Sequence, residues 1–512
     1  MERIEQFELI SGINPTGIAV YSRDYGAVTY AKLNENQNEF LSFISCEIDR
    51  PLIMIRCRIS YETIVGYTAA LKAGIPLIMC DERNSDPVVK MYKPHYIWQH
   101  KDIDEPEGYV ISGRLYDYRL YRKAKMQKLL INSKLALLLA TSGSTGSCKY
   151  VRISYDNIVY NTKSIIKALE IKTTDKAGVM LPLSYTYGLS VVNTYLYVGA
   201  SLIICDESIG SNDTWNYFER CGGNVICGVP DTYELLYLMN IWRKPGLHLK
   251  LATQAGGRLN PDTEENILKL AYEQGFDFAV MYGQTEATAR MTCHILNRNP
   301  EHIHSVGKPV AGGNISILDG EVIYSGPNVS LGYAEGFEDL ALGDENKGIL
   351  HTGDIGKIDK DGFLYITGRI KRIAKAGGKR INLDELEAII EHNSGMRTAC
   401  IEKDGCICIM VISVDSSILD GIQYVETSKR NTVIHTATKD YVSSMSISAM
   451  EQVLPTKYFI RTARSHIVNI HKIKEAKKTY ILTCACNEHI PLSRSRKNDF
   501  MELWSKERRT DI

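Results

Sequence analysis

Apolar residues in the first part of the chain fall into short continuous runs separated by longer amphipathic stretches. The runs PLIMIR (51–56), IPLIMC (75–80), AGVMLPL (177–183) and ASLIIC (200–205) have the length and β-branched content of strands buried on both faces. Between them, YETIVGYTAALKAG (61–74) and DTYELLYLMNIW (231–242) carry helical periodicity. Strands alternating with helices predict parallel α/β units. After about residue 310 the texture changes to short strands and Asp-Gly turns, in NISILDGEVIYSGPNV and GKIDKDGFLYITG, which predict hairpins. A short helix is expected at LDELEAIIEH (383–392), a hairpin around Asp404-Gly405, and a junction at DSSILDG (415–421). The pattern then gives a two-strand unit, IQYVETSKRNTVIHT, turning at Lys429 to Asn431, and a helix at SISAMEQVL (446–454).

A chain of 512 residues exceeds one ordinary core, so more than one domain is expected. No apolar run approaches the ~18 residues of a membrane helix. The N-terminal MERIEQFELISG has no long apolar core of a secretion signal, and a cytoplasmic protein without a membrane partner is expected. The 13 cysteines are odd in number and scattered through apolar segments, which favours reduced core thiols over a disulfide framework. The pairs Cys406/Cys408 and Cys484/Cys486 have strand spacing rather than zinc-knuckle spacing. His294, His302 and His304 read as solvated loop histidines, since no metal motif surrounds them. Net charge is zero, yet residues 420–512 hold 16 basic against 10 acidic residues while the remainder holds 44 against 50. A basic tail on an acidic body points to different partners for the two.

The stretch LALLLATSGSTGSCKYVRIS (135–154) breaks from an apolar strand into small and hydroxylic residues, followed by Lys149. Such a loop is either a flexible connector or a cradle whose backbone can approach phosphate. It is not a Walker loop, because no Gly-Lys-Ser/Thr stands at the required spacing. Three later stretches favour the cradle. MYGQTEATAR (281–290) offers a ring at Tyr282, a hydroxyl at Thr285 and a carboxylate at Glu286; HTGDIGKIDKDGFLYITGRIKR (351–372) offers Asp354 and Arg369; KAGGKRINLDELE (375–387) follows. A stacking ring, a metal-seeking carboxylate and a ribose-binding aspartate are what an ATP site needs.

With these residues the chain resembles the adenylate-forming (AMP-binding, acyl-CoA synthetase-like) superfamily. TSGSTGSCK matches its phosphate loop, with Cys148 where proline is usual; YGQTE, TGD and GRIKRIAKAGGKRINLDELE match later motifs, and LPLSYTYGL (181–189) and QAGGRL (254–259) weaker ones. The resemblance implies an α/β fold with a large N-terminal domain of stacked α/β sheets over 1–368, and a hinge with a truncated lid remnant over 369–415. It implies ATP contacts from Thr141, Ser142, Gly143, Ser144, Thr145, Gly146, Gly256, Tyr282, Gly283, Asp354 and Arg369. Catalytic roles fall to Lys149, Thr285 and Glu286, with Glu286 on Mg2+, and an acid pocket to Tyr185, Tyr187 and Gly257. Lys371 takes the hinge position. The implied reaction joins a small carboxylic acid to ATP as an acyl-adenylate, with CoA or the phosphopantetheine of an acyl carrier protein as candidate acceptor. SYTYG lacks an aspartate, which argues against an α-amino acid. The family's lid lysine, in a Pro-x-x-x-Gly-Lys pattern, has no counterpart; VLPTK (453–457) runs on into a different motif.

That motif is similar to the LytTR family of bacterial DNA-binding domains. IQYVETSKRNTVIHT (422–436), YFIRTARSHIVNIHKI (458–473) and IPLSRSRKNDF (490–500) carry the likeness, within 418–507, and coincide with the basic tail. The resemblance implies a small β-rich module that reads duplex DNA through Lys429, Arg430, Arg464 and Arg494, with Asn469 structural and a homodimer as candidate assembly. Three readings stay open: an acid-activating ligase fused to a transcription regulator, a one-component regulator whose adenylation module senses ATP, an acid or an acyl-adenylate, and a fusion whose tail only mediates oligomerisation.

Overall fold

The computed structural model describes residues 12–45, 47–141 and 149–376, and beyond them 379–384, 386–387, 390, 397–403, 406–412, 422–428, 431–436, 440–443, 447–448, 451, 459–477, 480–483, 489–494, 496–497, 500–501 and 504. Residues up to Ile373 form one compact unit and those from Ala374 a second.

The first unit is built on two large sheets. One has nine strands. Its centre is a parallel array of Ser201–Ile204, Lys176–Val179, Val225–Gly228, Leu251–Gln254 and Asp277–Tyr282, closed at one end by the antiparallel Thr292–Ile295. The other has eight strands, with Leu77–Asp81 and Ile53–Cys57 parallel in its middle and Leu135–Ala140 beside them. The apolar runs read from the sequence supply these central strands, although the run 177–183 is strand only as far as Val179, and Ile53, Ile55, Leu77, Val179, Leu202 and Val225 are all buried in one continuous core. A strand covered on both faces is apolar at nearly every position, which is why the runs lack alternation.

Helix Tyr61–Lys72 is capped by Ser60, whose hydroxyl accepts from the Thr63 amide at 3.2 Å, and is buried from Tyr61 to Leu71. Helix Tyr155–Leu169 starts with a reciprocal cap: Asn157 N–H donates to the Ser154 hydroxyl at 3.1 Å, and Ser154 N–H to the Asn157 side chain at 2.9 Å. Past residue 310 the two expected hairpins form one antiparallel sheet, Asn314–Leu318, Glu321–Ser325, Ile349–Ile358 and Leu364–Arg369.

In the second unit, Arg397–Lys403 pairs antiparallel with Cys406–Ile412 on either side of the expected Asp404-Gly405 turn, which itself lies outside the described residues. Cys406 and Cys408 are alternate residues of that second strand, while Cys484 and Cys486 fall outside the described residues. A five-stranded antiparallel sheet follows, ordered Asp440–Ser443, Asn431–Thr436, Ile422–Ser428, His466–Asn469, Phe459–Ala463. It shares a core of Tyr424, Val468, Ile473, Ile481, Ile490, Leu492 and Phe500 with a three-stranded sheet. Cys57, Cys80, Cys205, Cys221, Cys227, Cys293 and Cys400 are free and wholly or partly buried, in keeping with reduced core thiols.

The expectation of solvated histidines is corrected by the fold. His294 lies on strand Thr292–Ile295 at 2% exposure, both ring nitrogens facing backbone carbonyls, of Ser305 and Asn299, at 3.2 Å. His302 stacks on Phe363 and approaches Asp359 at 3.0 Å, and His304 meets Glu264 at 2.7 Å. The Asn- and Pro-rich sequence around them reads as loop, but the edge pairing of Thr292–Ile295 pulls His294 inside.

Candidate functional site

The carboxyl ends of three parallel strands meet at Gly228, Gln254 and Tyr282, in register through the pairs Gly228–Gln254 and Gln254–Val280. Ligands of open α/β sheets bind at such strand ends. The chain leaves Tyr282 through Gly283, where a side chain would meet the Ala289 carbonyl oxygen at 1.8 Å, so only glycine fits. Thr285–Ala287 then makes one short turn, which presents the Thr285 and Glu286 side chains.

Asp354 stands opposite Arg369 across the antiparallel pair Ile349–Ile358 and Leu364–Arg369. That register produces the 3.1 Å ion pair between Arg369 Nε and the Asp354 carboxylate. The carboxylate also accepts from the Tyr282 hydroxyl at 2.5 Å and from the Gln284 amide at 2.8 Å, and is 3% exposed. Burial, followed by the Asp354 charge, raises the Tyr282 hydroxyl well above its ordinary pKa, so Tyr282 stays a neutral donor. Gln284 holds the Thr352 carbonyl as well, at 2.9 Å, and so fixes the TGD turn against the 282–286 segment.

Lys149 is the residue just before strand Tyr150–Ser154, which pairs antiparallel with Gly332–Ala334. Because Tyr150 stands opposite Ala334, Lys149 reaches the next residue along, Glu335, at 3.6 Å, and its ammonium sits 4.0 Å over the Tyr333 ring. The Tyr333 hydroxyl in turn donates to Glu286 at 2.8 Å. One tyrosine thus connects the candidate phosphate lysine to the candidate metal carboxylate. A carboxylate beside a free hydroxyl such as Thr285 is a hard-oxygen donor set, which suits Mg2+ shared with phosphates.

Of the residues expected at the ATP site, Lys149 and Glu286 meet through Tyr333, and Tyr282 and Arg369 meet on Asp354, while Gly283 and Thr285 lie on the segment between Tyr282 and Glu286. Thr141 follows strand Leu135–Ala140 at the head of the loop. Ser142, Gly143, Ser144, Thr145 and Gly146 lie outside the described residues. Gly256 has φ +87°, and a side chain on Gly257 would press on Pro230. Tyr187 is buried and donates its hydroxyl to the Thr253 carbonyl at 2.7 Å, whereas Tyr185, at the start of helix Thr186–Val198, is exposed. Lys371 occupies a short exposed turn, Ile370–Arg372. Tyr333, Glu335 and Arg290 were not singled out from the sequence. Nothing in local spacing marks the first two, which strand pairing delivers; for Arg290 the sequence signal is its place inside MYGQTEATAR.

In the second unit, Arg464 is exposed in the turn between Phe459–Ala463 and His466–Asn469, with its carbonyl accepting from the Arg461 guanidinium. Ser493 N–H donates to the Thr462 carbonyl at 2.8 Å, which ties the loop of the exposed Arg494 to the strand leading into Arg464. Asn469, 1% exposed, accepts from the His471 amide at 3.1 Å and caps the short turn Ile470–Lys472. Lys429 and Arg430 lie outside the described residues.

Residues 91–334 match the family model of the AMP-binding enzymes, and residues 417–505 that of the LytTr DNA-binding domain. Among curated proteins, the chain is 30% identical over 276 residues to the oxalate–CoA ligase of Saccharomyces cerevisiae, covering 51% of this chain and 49% of that protein. It is 28% identical over 341 residues to the D-alanine–D-alanyl carrier protein ligase of Lactococcus lactis, covering 63% and 65%. The chain thus spans about half the length of the first of these relatives. Among solved structures, the o-succinylbenzoate CoA synthetase of Bacillus subtilis in complex with ATP and magnesium superposes with a TM-score of 0.61 at 20% identity, over 80% of this chain and 90% of that one. The E. coli enzyme with bound OSB-AMS gives 0.63 at 18%, over 79% and 88%. The fold is therefore that of adenylate-forming enzymes, with a match to the AMP-binding enzymes over residues 91–334 and to the LytTr DNA-binding domain over residues 417–505.

Proposed function

We infer that the first unit binds ATP and a carboxylic acid and joins them as an acyl-adenylate, and that the basic tail couples this event to DNA. What supports the chemistry is two sets of polar contacts joined by the segment 282–286: Lys149 over Tyr333 and Tyr333 to Glu286, and Tyr282, Gln284 and Arg369 converging on Asp354. The acid's carboxylate attacks the α-phosphorus of ATP, the bond to the bridging oxygen breaks, and pyrophosphate leaves. Little covalent work falls to the protein, so positioning and charge neutralisation carry the step. Lys149 supplies a positive charge for the phosphates, and Asp354, aimed by three donors, accepts from the ribose hydroxyls. Glu286, oriented by Tyr333, is the residue that would hold Mg2+, which when bound offsets the phosphate charge. The ligase relatives act with CoA or a carrier protein, and both are candidate acceptors here.

A second reading is favoured by the sequence itself: the segment 369–415 holds no Pro-x-x-x-Gly-Lys pattern, and a DNA-binding domain follows it. There the first unit is a sensor that binds ATP and acid without turning them over. Pyrophosphate release across a panel of acids, with and without CoA, separates the two. Turnover near ~10 s−1 establishes the ligase; saturable acid and ATP binding without pyrophosphate establishes the sensor; binding of neither removes both.

A further inference from the structure

Arg290 is a buried cation with no anion beside it among the described residues. It is 3% exposed, its Nε has no hydrogen-bond partner, and one Nη donates to the adjacent Ala289 carbonyl at 3.1 Å. No carboxylate lies within ion-pairing reach among the described residues, and its close neighbours are Tyr187, Cys227 and Cys293. The guanidinium carbon rests 3.8 Å over the Tyr187 ring. Burial raises both thiols, Cys227 to about 11 and Cys293 to about 12, so neither supplies a negative charge at neutral pH. An isolated charge in a dry site is costly, and the usual compensation is a paired anion.

The backbone is constrained to put the guanidinium there. Thr288 and Ala289 both have positive φ, +53° and +114°, a strained pair for residues with side chains. The strain is held by two asparagines. Asn161 donates to the Arg290 carbonyl at 2.8 Å, and Asn328 to the Ala287 and Arg290 carbonyls at 2.8 and 3.0 Å, while Thr288 donates to the Asn328 carbonyl at 2.8 Å. Arg290 thereby comes to the carboxyl ends of Val225–Gly228 and Leu251–Gln254, where Cys227 and the Tyr187–Thr253 bond stand. The same segment abuts Gly283, beside the Tyr282–Asp354 contact.

We propose that Arg290 is the subsite for a second carboxylate, and that the acid recognised by this protein is a dicarboxylate, held with one carboxylate toward ATP and the other on the guanidinium. The proposal rests on the reading that the first unit binds an acid beside ATP. A guanidinium accepts a carboxylate in two parallel hydrogen bonds, and the unpartnered Nε with an Nη is one edge of that fork.

The test uses the full-length chain with a non-hydrolysable ATP analogue. Linear dicarboxylates from oxalate to adipate are titrated by calorimetry against monocarboxylates of equal carbon count. At least one dicarboxylate is expected to bind tenfold or more tighter than its monocarboxylate match. Arg290→Gln is expected to erase that ratio, and Arg290→Lys to keep part of it. Equal affinity for the two series in the wild-type chain overturns the subsite and leaves acid binding intact; binding of neither, with ATP still bound, removes the acid reading and the subsite together. Should Arg290→Gln lose its thermal transition, the wild-type ratio and Arg290→Lys decide.

Discussion

Asp354 shows how a single side chain is prepared for a ligand. Three donors, a phenol, an amide and a guanidinium, fix both carboxylate oxygens in a nearly closed site. Asp354→Ala and Lys149→Ala should each weaken ATP about tenfold or more, since charge-assisted contacts are worth roughly 1.5–3 kcal/mol. Calorimetry with ATP·Mg2+ checks this; unchanged affinity in both variants removes the ATP assignment. Tyr333→Phe should cost less, because the ring still supports Lys149 and only the hydrogen bond to Glu286 is lost. His294 makes a different prediction. Burial holds its imidazole below the ordinary 6.5, so the unfolded chain binds the proton more readily. Stability should therefore fall as pH drops below 6.5 and stop falling beneath the folded value. Denaturant melts at pH 7 and pH 5 should show this loss in the wild type and a smaller one in His294→Gln.

At the scale of elements, the short strand Gly332–Ala334 carries Tyr333 and Glu335 to Lys149, and Arg152 keeps it there. The Arg152 side chain is fully buried and donates to the carbonyls of Leu331, Tyr333, Leu342 and Gly343 and to Glu345. It is a charge enclosed by carbonyls with one carboxylate, the compensated counterpart of Arg290. Glu345 is half exposed and tolerates the loss, but the carbonyls do not: a buried acceptor left without its donor costs about 1–3 kcal/mol, so Arg152→Ala should lower unfolding stability by at least that much and loosen the strand that carries Tyr333. Chemical denaturation measures the first effect, and protection of the Tyr333 amide from hydrogen exchange the second. The segment Thr288–Arg290 is a parallel case, in which Asn161 on helix Tyr155–Leu169 holds a strained backbone.

For the whole molecule, the tail should bind duplex DNA with an affinity that falls steeply as salt rises. Each phosphate neutralised contributes about −0.9 to the slope of log affinity against log salt. In the full-length chain, Arg464→Ala or Arg494→Ala should cost about 1–3 kcal/mol at a specific site if the residue reads a base, and flatten the slope by about one unit if it meets only phosphate. Fluorescence anisotropy across a salt series distinguishes these, and no retention of DNA at ~50 mM salt removes the DNA reading. No helix among the described residues is long and apolar enough to cross a membrane.

The sequence by itself marked the central strands and the hairpins, and their order along the chain. Central strands such as Ile53–Cys57 and Leu77–Asp81 were legible because burial on both faces forces continuous apolar runs, and the hairpins because Asp-Gly turns act locally. It also marked Glu286, Asp354 and Arg369, whose neighbours in the chain form recognisable motifs. What only the tertiary structure decided are contacts between residues distant in the chain. The Lys149–Tyr333–Glu286 series depends on Tyr150–Ser154 pairing with Gly332–Ala334, and strand register is set by the whole core rather than by either segment. His294 reads as loop and is buried by an edge pairing, and Arg290 reads as an ordinary charge until the fold surrounds it with tyrosine and thiols and brings no carboxylate of the described residues to it. Propensity and turn chemistry act within a few residues; desolvation is a property of everything packed around a group, and only the assembled fold sets it.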